Sequence, residues 1–493
     1  MRSWSIKTVS DRLIGWRASF TGDAIISLAG GSLARAITLA SMPFVTRIYT
    51  PADVGVWAIV LTLAGFLVPL ATLRYEVAIV IALTQRTAAA IALVIGVCML
   101  AVAVAFAAAL SVAPKQLLEA ISGLGPDKQG LLAVVPLLLV LLAAQATLQA
   151  WLTRERQFGA LSLAQLIQAI VTAAAMLLLP LIAGASAGVA TAAAMLGLAM
   201  GITVTAWAGG AQILSYADRR LAHAVRSGLR RYKVYPLYFV PYSLSAGLAE
   251  RILQLVLAGA YSISALGAFY VARQLVTAPA TLVSATLCQV MFAHSARQKD
   301  AIATKDRVAQ VLRLLIDVMV PSLAFCLIWL KPLLTALMGP TWSQLGEFVW
   351  WSLFPASMLL LTGSLDRMLH VLGRQRLAVG LQLASDAVLI GIALLSPRIG
   401  LDEVGMVAAL SVGIALYNVI WLGITLGLMH FRLAEMTALA ARILTISLLW
   451  GSLQLALATV LPWPSGLVAG TLLLVLSLTP PTIRHARRFL SSG

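Results

Sequence analysis

The sequence predicts an all-α integral membrane protein of about fourteen transmembrane helices. They form two six-helix lobes related by a pseudo-twofold axis, plus a C-terminal helix pair. Three observations predict this. Of 493 residues, 61% are hydrophobic and 11% charged, against roughly 45–50% and 25% in soluble domains. The apolar residues fall in runs of about the 20 residues that a spanning helix needs. The basic residues fall mainly in every second connection between those runs, the asymmetry that orients membrane proteins.

Residues 1–23 carry Arg2, Lys7, Arg12 and Arg17 without an apolar core and read as a basic cytoplasmic N-terminus. The run that follows is too long for a signal-peptide core and contains Arg35, so no cleavage is expected. Spans at 24–46, 54–74, 87–113, 131–152, 160–182 and 186–208 make a first lobe, 24–208. The segment 209–233 holds Arg219, Arg220, Arg226, Arg230, Arg231 and Lys233. It reads as a basic cytoplasmic inter-lobe linker able to form a surface-lying amphipathic helix. Spans at 234–258, 266–290, 310–330, 348–371, 377–396 and 404–428 make a second lobe, 234–430. Spans at 439–461 and 465–480 form the terminal pair within 431–493, which ends in the basic tail of Arg484, Arg487 and Arg488.

With the N-terminus inside, the inner segments also collect Arg74/Arg86, Arg154/Arg156, Arg297/Lys299/Lys305/Arg307, Arg374/Arg376 and Arg432. The outer segments hold only Arg47, Lys115, Lys128, Lys331 and Arg398. Both termini are therefore expected in the cytoplasm, with an even number of spans; twelve satisfies the bias as well as fourteen.

Several function classes are disfavoured. The net charge of +17 sits in short inter-helix clusters and reports topology, so no nucleic-acid partner is expected. Cys98, Cys288 and Cys326 lie in apolar runs without CxxC spacing, which implies neither a disulfide framework nor a metal site. The five histidines are scattered, and no loop is long enough for a soluble catalytic domain. A membrane-embedded glycosyl or acyl transferase would need a catalytic acid, base or metal cluster, so no enzyme and no metal or cofactor is expected.

Charges inside the spans are the candidate functional residues. A charge in bilayer hydrocarbon costs at least roughly 2.5–3.5 kcal/mol and normally faces a partner or a water-filled cavity. Arg35 lies mid-span, and Asp23, the nearest acid on its own helix, is about 18 Å away along the axis. Asp386, in the eleventh span, is the other deep lone carboxylate. Glu250 and Arg273 flank a tight turn near 259–265 at similar depth, roughly 12–14 Å below it. They can pair, leaving Arg251 to face a cavity; otherwise Arg273 is the ligand. Arg313 and Asp317 share a helix face at i,i+4, and with Asp366 and Arg367 they suggest an ion network. A proton or cation site at Asp317 or Asp366 is the alternative. Arg442 is expected to snorkel to the headgroups. Pro69, Pro136, Pro241, Pro279, Pro321 and Pro355 interrupt spans. Gly197/Gly201 and Gly423/Gly427 have the spacing of close-packing faces.

Two segments repeat a pattern. Val54-Gly55-Val56-Trp57 opens the second span and Leu266-Gly267-Ala268-Phe269 the eighth, each an apolar-Gly-apolar-aromatic step. Both follow outward-running spans, the arrangement of parallel lobes related by an axis along the membrane normal. The run from Arg47 to Trp57, Arg-Ile-Tyr-Thr-Pro-Ala-Asp-Val-Gly-Val-Trp, resembles the opening signature of bacterial polysaccharide (O-antigen or exopolysaccharide) flippases. These belong to the multidrug/oligosaccharidyl-lipid/polysaccharide (MOP) exporter superfamily. Leu266-Gly-Ala-Phe-Tyr-Val-Ala-Arg resembles their second-lobe counterpart, and Leu372-Gly-Arg-Gln-Arg a basic turn after their tenth span. The resemblance implies V-shaped lobes around a central cavity, with spans 13 and 14 appended. It also implies an inner-membrane protein moving polyprenyl-diphosphate-linked oligosaccharide from the cytoplasmic to the periplasmic leaflet.

On this reading Arg35, Arg251 and Arg273 are the candidate diphosphate-binding residues, because arginine's planar fork suits phosphate and repels cations. Glu250, Asp317, Asp366 and Asp386 are candidates for ion pairing or for proton or sodium coupling. Partners expected are the lipid-linked oligosaccharide, membrane lipids, and glycosyltransferases and a polymerase of the same pathway. The competing expectations are a cation-coupled drug or metabolite antiporter of the same superfamily and a lipid II flippase.

Overall fold

A computed structural model describes residues 20–216, 221–295, 301–365, 368–372 and 374–491. Every regular element among them is a helix. In order they are α1 Phe20–Ile48, α2 Pro51–Thr72, α3 Tyr75–Ile81, α4 Gln85–Val112, α5 Lys115–Ser122 and α6 Val135–Arg154. Next come α7 Phe158–Ala183, α8 Ala187–Ser215, α9 Leu221–Arg231, α10 Val240–Val256, α11 Ile263–Ser295 and α12 Ala301–Met338. The chain closes with α13 Ser343–Gly363, α14 Met368–Val371, α15 Gln375–Leu395, α16 Glu403–Leu428, α17 Leu433–Val460 and α18 Ser465–Ser491. Among the described residues, helix occupies the larger part of every expected span, and 73–74 and 364–365 are turns. Ten helices among the described residues are long and apolar enough to cross a membrane, and Ser465–Thr479 is a shorter apolar one. The protein is a multi-pass membrane protein.

Helix starts follow the local chemistry. Thr50 caps α2 through a capping box: the Asp53 amide donates to Thr50 Oγ1 at 3.2 Å, and Asp53 Oδ2 accepts from the Thr50 amide at 3.1 Å. Pro51 occupies the first turn, where its missing N–H costs nothing. Pro136 and Pro241, expected to interrupt spans, likewise sit in the first turns of α6 and α10. Pro69, Pro279, Pro321 and Pro355 are inside helices as expected, and Pro43 likewise lies inside the continuous helix α1.

The chain divides into two compact units, Met1–Gly267 and Ala268–Gly493. The segment 209–233 therefore lies within the first unit, and α10 packs with α2 there. In that unit α7 lies against α1 and α8. A Cβ on Gly197 would fall 1.8 Å from Thr172 Oγ1, so this glycine packs closely against α7. Gly423 and Gly427 face open space instead; their GxxxG spacing marks no close-packing face in this unit.

The two repeat glycines meet. A Cβ on Gly267 would lie 1.8 Å from the Pro51 carbonyl oxygen, and one on Gly55 would lie 2.1 Å from that of Ile263. The starts of α2 and α11 thus cross backbone against backbone. The second unit centres on α12, whose Val308, Leu312, Leu315, Ile316 and Met319 are buried among residues of α13, α16 and α17.

Candidate transport cavity

The second span does not continue to residue 74 as one helix. Leu73 and Arg74 both adopt left-handed backbone, with φ of 51° and 57°, a costly conformation for residues with side chains. Arg74 is fixed there by its contacts. Its Nε donates to Ser243 Oγ at 2.7 Å and its Nη1 to Glu76 Oε1 at 3.1 Å. The break is also held from α6: Arg154 Nη1 donates to the carbonyls of Ile79 at 3.0 Å and Ala82 at 2.6 Å, at the end of α3.

Between α2 and α10 lies a cavity of about 360 Å³. Ser243, Gly247, Glu250, Arg251 and Gln254 supply the α10 wall, a helical stripe at steps of three and four. Thr62, Gly65, Phe66 and Pro69 face them from α2, and Leu142 from α6. Gly247 makes room for the Phe66 ring: a Cβ there would lie 2.9 Å from Phe66 Cδ2. The walls are mostly apolar, and the polar atoms converge on Gln254. Its Oε1 accepts from Thr62 Oγ1 at 2.6 Å and from Arg251 Nη1 at 3.3 Å, while its Nε2 donates to Glu250 Oε1 at 3.4 Å. Arg251 Nη2 also donates to the Ser122 carbonyl at the end of α5, at 3.4 Å. A helix C-terminus carries partial negative charge, so this carbonyl suits a guanidinium. Arg251 is only 6% exposed and Gln254 only 4%. A buried cation costs several kcal/mol unless hydrogen-bonded, and the amide and carbonyl supply those bonds.

The expected site residues fall on several helices. Glu250 and Arg251 share one wall, with Gln254 bridging them. Arg35 is exposed on α1. Arg273 is exposed and belongs to the second unit. Asp386 is buried in α15, where Gln382 Nε2 donates to its Oδ1 at 2.9 Å. Tyr417 OH of α16 donates to Gln382 Oε1 at 3.4 Å.

One expectation about ion pairs needs correction. Arg442 does not simply snorkel: its Nε and Nη2 grip Asp317 Oδ1 and Oδ2 at 2.8 and 2.7 Å. Arg313, one turn before Asp317, is exposed. Asp366 and Arg367 lie outside the described residues. Among the described residues, no group of three His, Cys, Asp or Glu side chains is placed to hold a metal ion.

Thr62, Ser243 and Gln254 had no signal as isolated residues. Gln254 was findable only through its place three and four residues beyond Arg251 and Glu250, on the same helical face.

The fold is that of the MOP-superfamily transporters. The chain is similar to the lipid II flippase MurJ in its inward-closed conformation, with a TM-score of 0.72 at 12% identity over 94% of this chain and 100% of that one. It is also similar to an inward-facing multidrug resistance MATE-family transporter, at 0.53 and 14% over 86% and 96% of the two chains. A MOP-superfamily transporter from Pyrococcus furiosus, noted for the reverse polarity of its binding pocket, aligns at 0.51 and 12% over 87% and 98%. No curated protein matches the sequence.

These neighbours define a fold class, that of multi-pass all-helical membrane proteins. Within that class the chain belongs to the polysaccharide biosynthesis protein family, whose model matches residues 44–347. The match spans both glycine-centred motifs, so the resemblance read from those short runs holds.

Proposed function

We propose that this protein moves a polyprenyl-diphosphate-linked oligosaccharide from the cytoplasmic to the periplasmic leaflet of the bacterial inner membrane, by alternating access, for cell-surface polysaccharide synthesis. The observation that carries this reading is the buried guanidinium of Arg251 on the wall of an apolar cavity about 360 Å³ in volume. An apolar cavity suits lipid, and a cation with planar donors suits a diphosphate. Membership of a polysaccharide biosynthesis family supports the glycan, and the charge bias of the connections supports cytoplasmic termini.

In this reading Arg251 is the cavity contact, and Arg35 of the same unit is a further diphosphate ligand. Glu250 lies on the same wall, close enough to feel the charge on any bound anion. Asp386, buried with only an amide as its described hydrogen-bond partner, is the coupling group we assign to a proton gradient. No cofactor enters the cycle. Glycosyltransferases and the polymerase of the pathway would supply and consume the lipid-linked sugar.

The test is flipping of a fluorescent polyprenyl-diphosphate oligosaccharide in proteoliposomes. R251A should slow it at least ten-fold, the loss expected when about 1.4 kcal/mol or more of charge-assisted hydrogen bonding is removed; R251K should retain part of the rate. Normal flipping by R251A would remove Arg251 from the mechanism.

A further inference from the structure

We infer that the outward face of α9 is a docking surface for anionic phospholipid headgroups of the surrounding bilayer. The inference is independent of the transported substrate.

The helix has two unlike faces. Ala224, Gly228 and the following Tyr232 are buried. A Cβ on Gly228 would lie 3.3 Å from Thr87 Cγ2 and 3.4 Å from Ile91 Cγ1, so α9 is seated on the first two turns of α4. That contact sets its depth. Thr87 and Ile91 lie two and six residues into α4, about 3–9 Å along its axis. A headgroup layer is about 5–8 Å thick on each side of the hydrocarbon, so α9 lies at headgroup level on the basic side of the protein.

His223, Arg226, Arg230, Arg231 and Lys233 are exposed on and beside this helix. Among the described residues, Arg226, Arg230, Arg231 and Lys233 have no carboxylate partner. The sequence from 219 to 249 contains no Asp or Glu at all. Solvated protein surfaces ordinarily intersperse both signs; this one presents a single-sign field.

The adjoining segment chooses between possible partners. Leu237 is 62% exposed and Tyr238 70%, with Val234 and Phe239 exposed beside them. Large apolar and aromatic side chains next to cations are the composition of a membrane interface. An acidic soluble protein would account for the arginines and leave these side chains in water. A lipid surface accounts for both. The same chain continues through the π turn Tyr235–Phe239 into α10, the helix carrying Glu250 and Arg251.

The experiment titrates purified full-length protein in neutral detergent with phosphatidylglycerol or phosphatidylcholine, read by native mass spectrometry and thermal unfolding. The wild type should prefer phosphatidylglycerol, and the preference should fall as salt screens it. R226Q/R230Q/R231Q should weaken phosphatidylglycerol binding about five-fold per charge, on the order of a hundred-fold in total. The corresponding triple lysine variant should keep the preference. K115Q/K128Q/R398Q, which removes equal charge from segments expected on the other side, should leave it unchanged. Equal binding of the two lipids by wild type at every salt concentration overturns the proposal even if the glutamine variant does not fold. Unchanged phosphatidylglycerol binding by a folded glutamine variant does the same. So would polyglutamate, as an acidic-peptide probe, binding these arginines where phosphatidylglycerol does not.

Discussion

Asp317 and Arg442 illustrate how a charge is kept inside a membrane protein. The carboxylate side chain is 10% exposed and the guanidinium 43%, so the pair straddles the edge of the packed interior between α12 and α17. Removing one partner from a fully buried pair costs about 3–5 kcal/mol. With Arg442 half-exposed, D317N or R442Q should cost on the order of 2 kcal/mol, read as a lower unfolding temperature in detergent. D317L/R442L should recover most of the loss, because a well-packed apolar pair replaces the ion pair at little cost. If D317N unfolded like wild type yet stopped transport, the residue would be a coupling site and not a clasp. Arg154 and Lys305 make a related point. Arginine and lysine at the expected inner ends of spans were legible as topology signals. What they hold was not: Arg154 holds the end of α3, and Lys305 reaches Glu435 at 2.7 Å and the His430 carbonyl at 3.1 Å. Charge counting reports sidedness, whereas the partner depends on which helices become neighbours.

Among the elements, the Thr-Pro-Ala-Asp run was readable because three of its four residues have a local job. Thr50 caps, Pro51 starts the helix, and Asp53 closes the box. Gly55 and Gly267 were legible as a repeated pattern, but their meeting was not, since spacing along a chain carries no information about which helices cross. The contact leaves no room for a side chain. G267A should therefore destabilise by about 1–3 kcal/mol through overpacking, whereas G65A, with nothing within 4 Å of its Cβ position, should be neutral or slightly stabilising. Thermal unfolding of the two variants side by side checks this; equal midpoints would remove the backbone crossing. The break at Leu73–Arg74 had no sequence signal. Neither residue favours left-handed backbone, and the conformation is imposed by contacts with Ser243 and Glu76, the first of them 169 residues away in sequence.

For the whole molecule, class and family were legible from composition, charge asymmetry and two short motifs, and the all-helical fold agrees with them. The site was half legible. Glu250 and Arg251 stood out as charges in a span, but Gln254 and Thr62, which hold them, are ordinary polar residues until α2 and α10 come together. Arg35 drew attention by its depth in the sequence, yet the cavity is built around Arg251. Coupling is assigned to the other unit. D386N should bind the lipid-linked sugar normally and lose the response of flipping to an imposed proton gradient; a D386N protein that still accelerates under that gradient would move coupling elsewhere.

The cavity between α2 and α10 is proposed to take a diphosphate lipid. Equilibrium binding of a polyprenyl-diphosphate sugar to purified wild type and R251A, with an organic cation as the competing probe, tests it most directly. Binding by the wild type should fall at least ten-fold in R251A, with no displacement by the cation. Equal binding by the two proteins, or preferential binding of the cation, would contradict it.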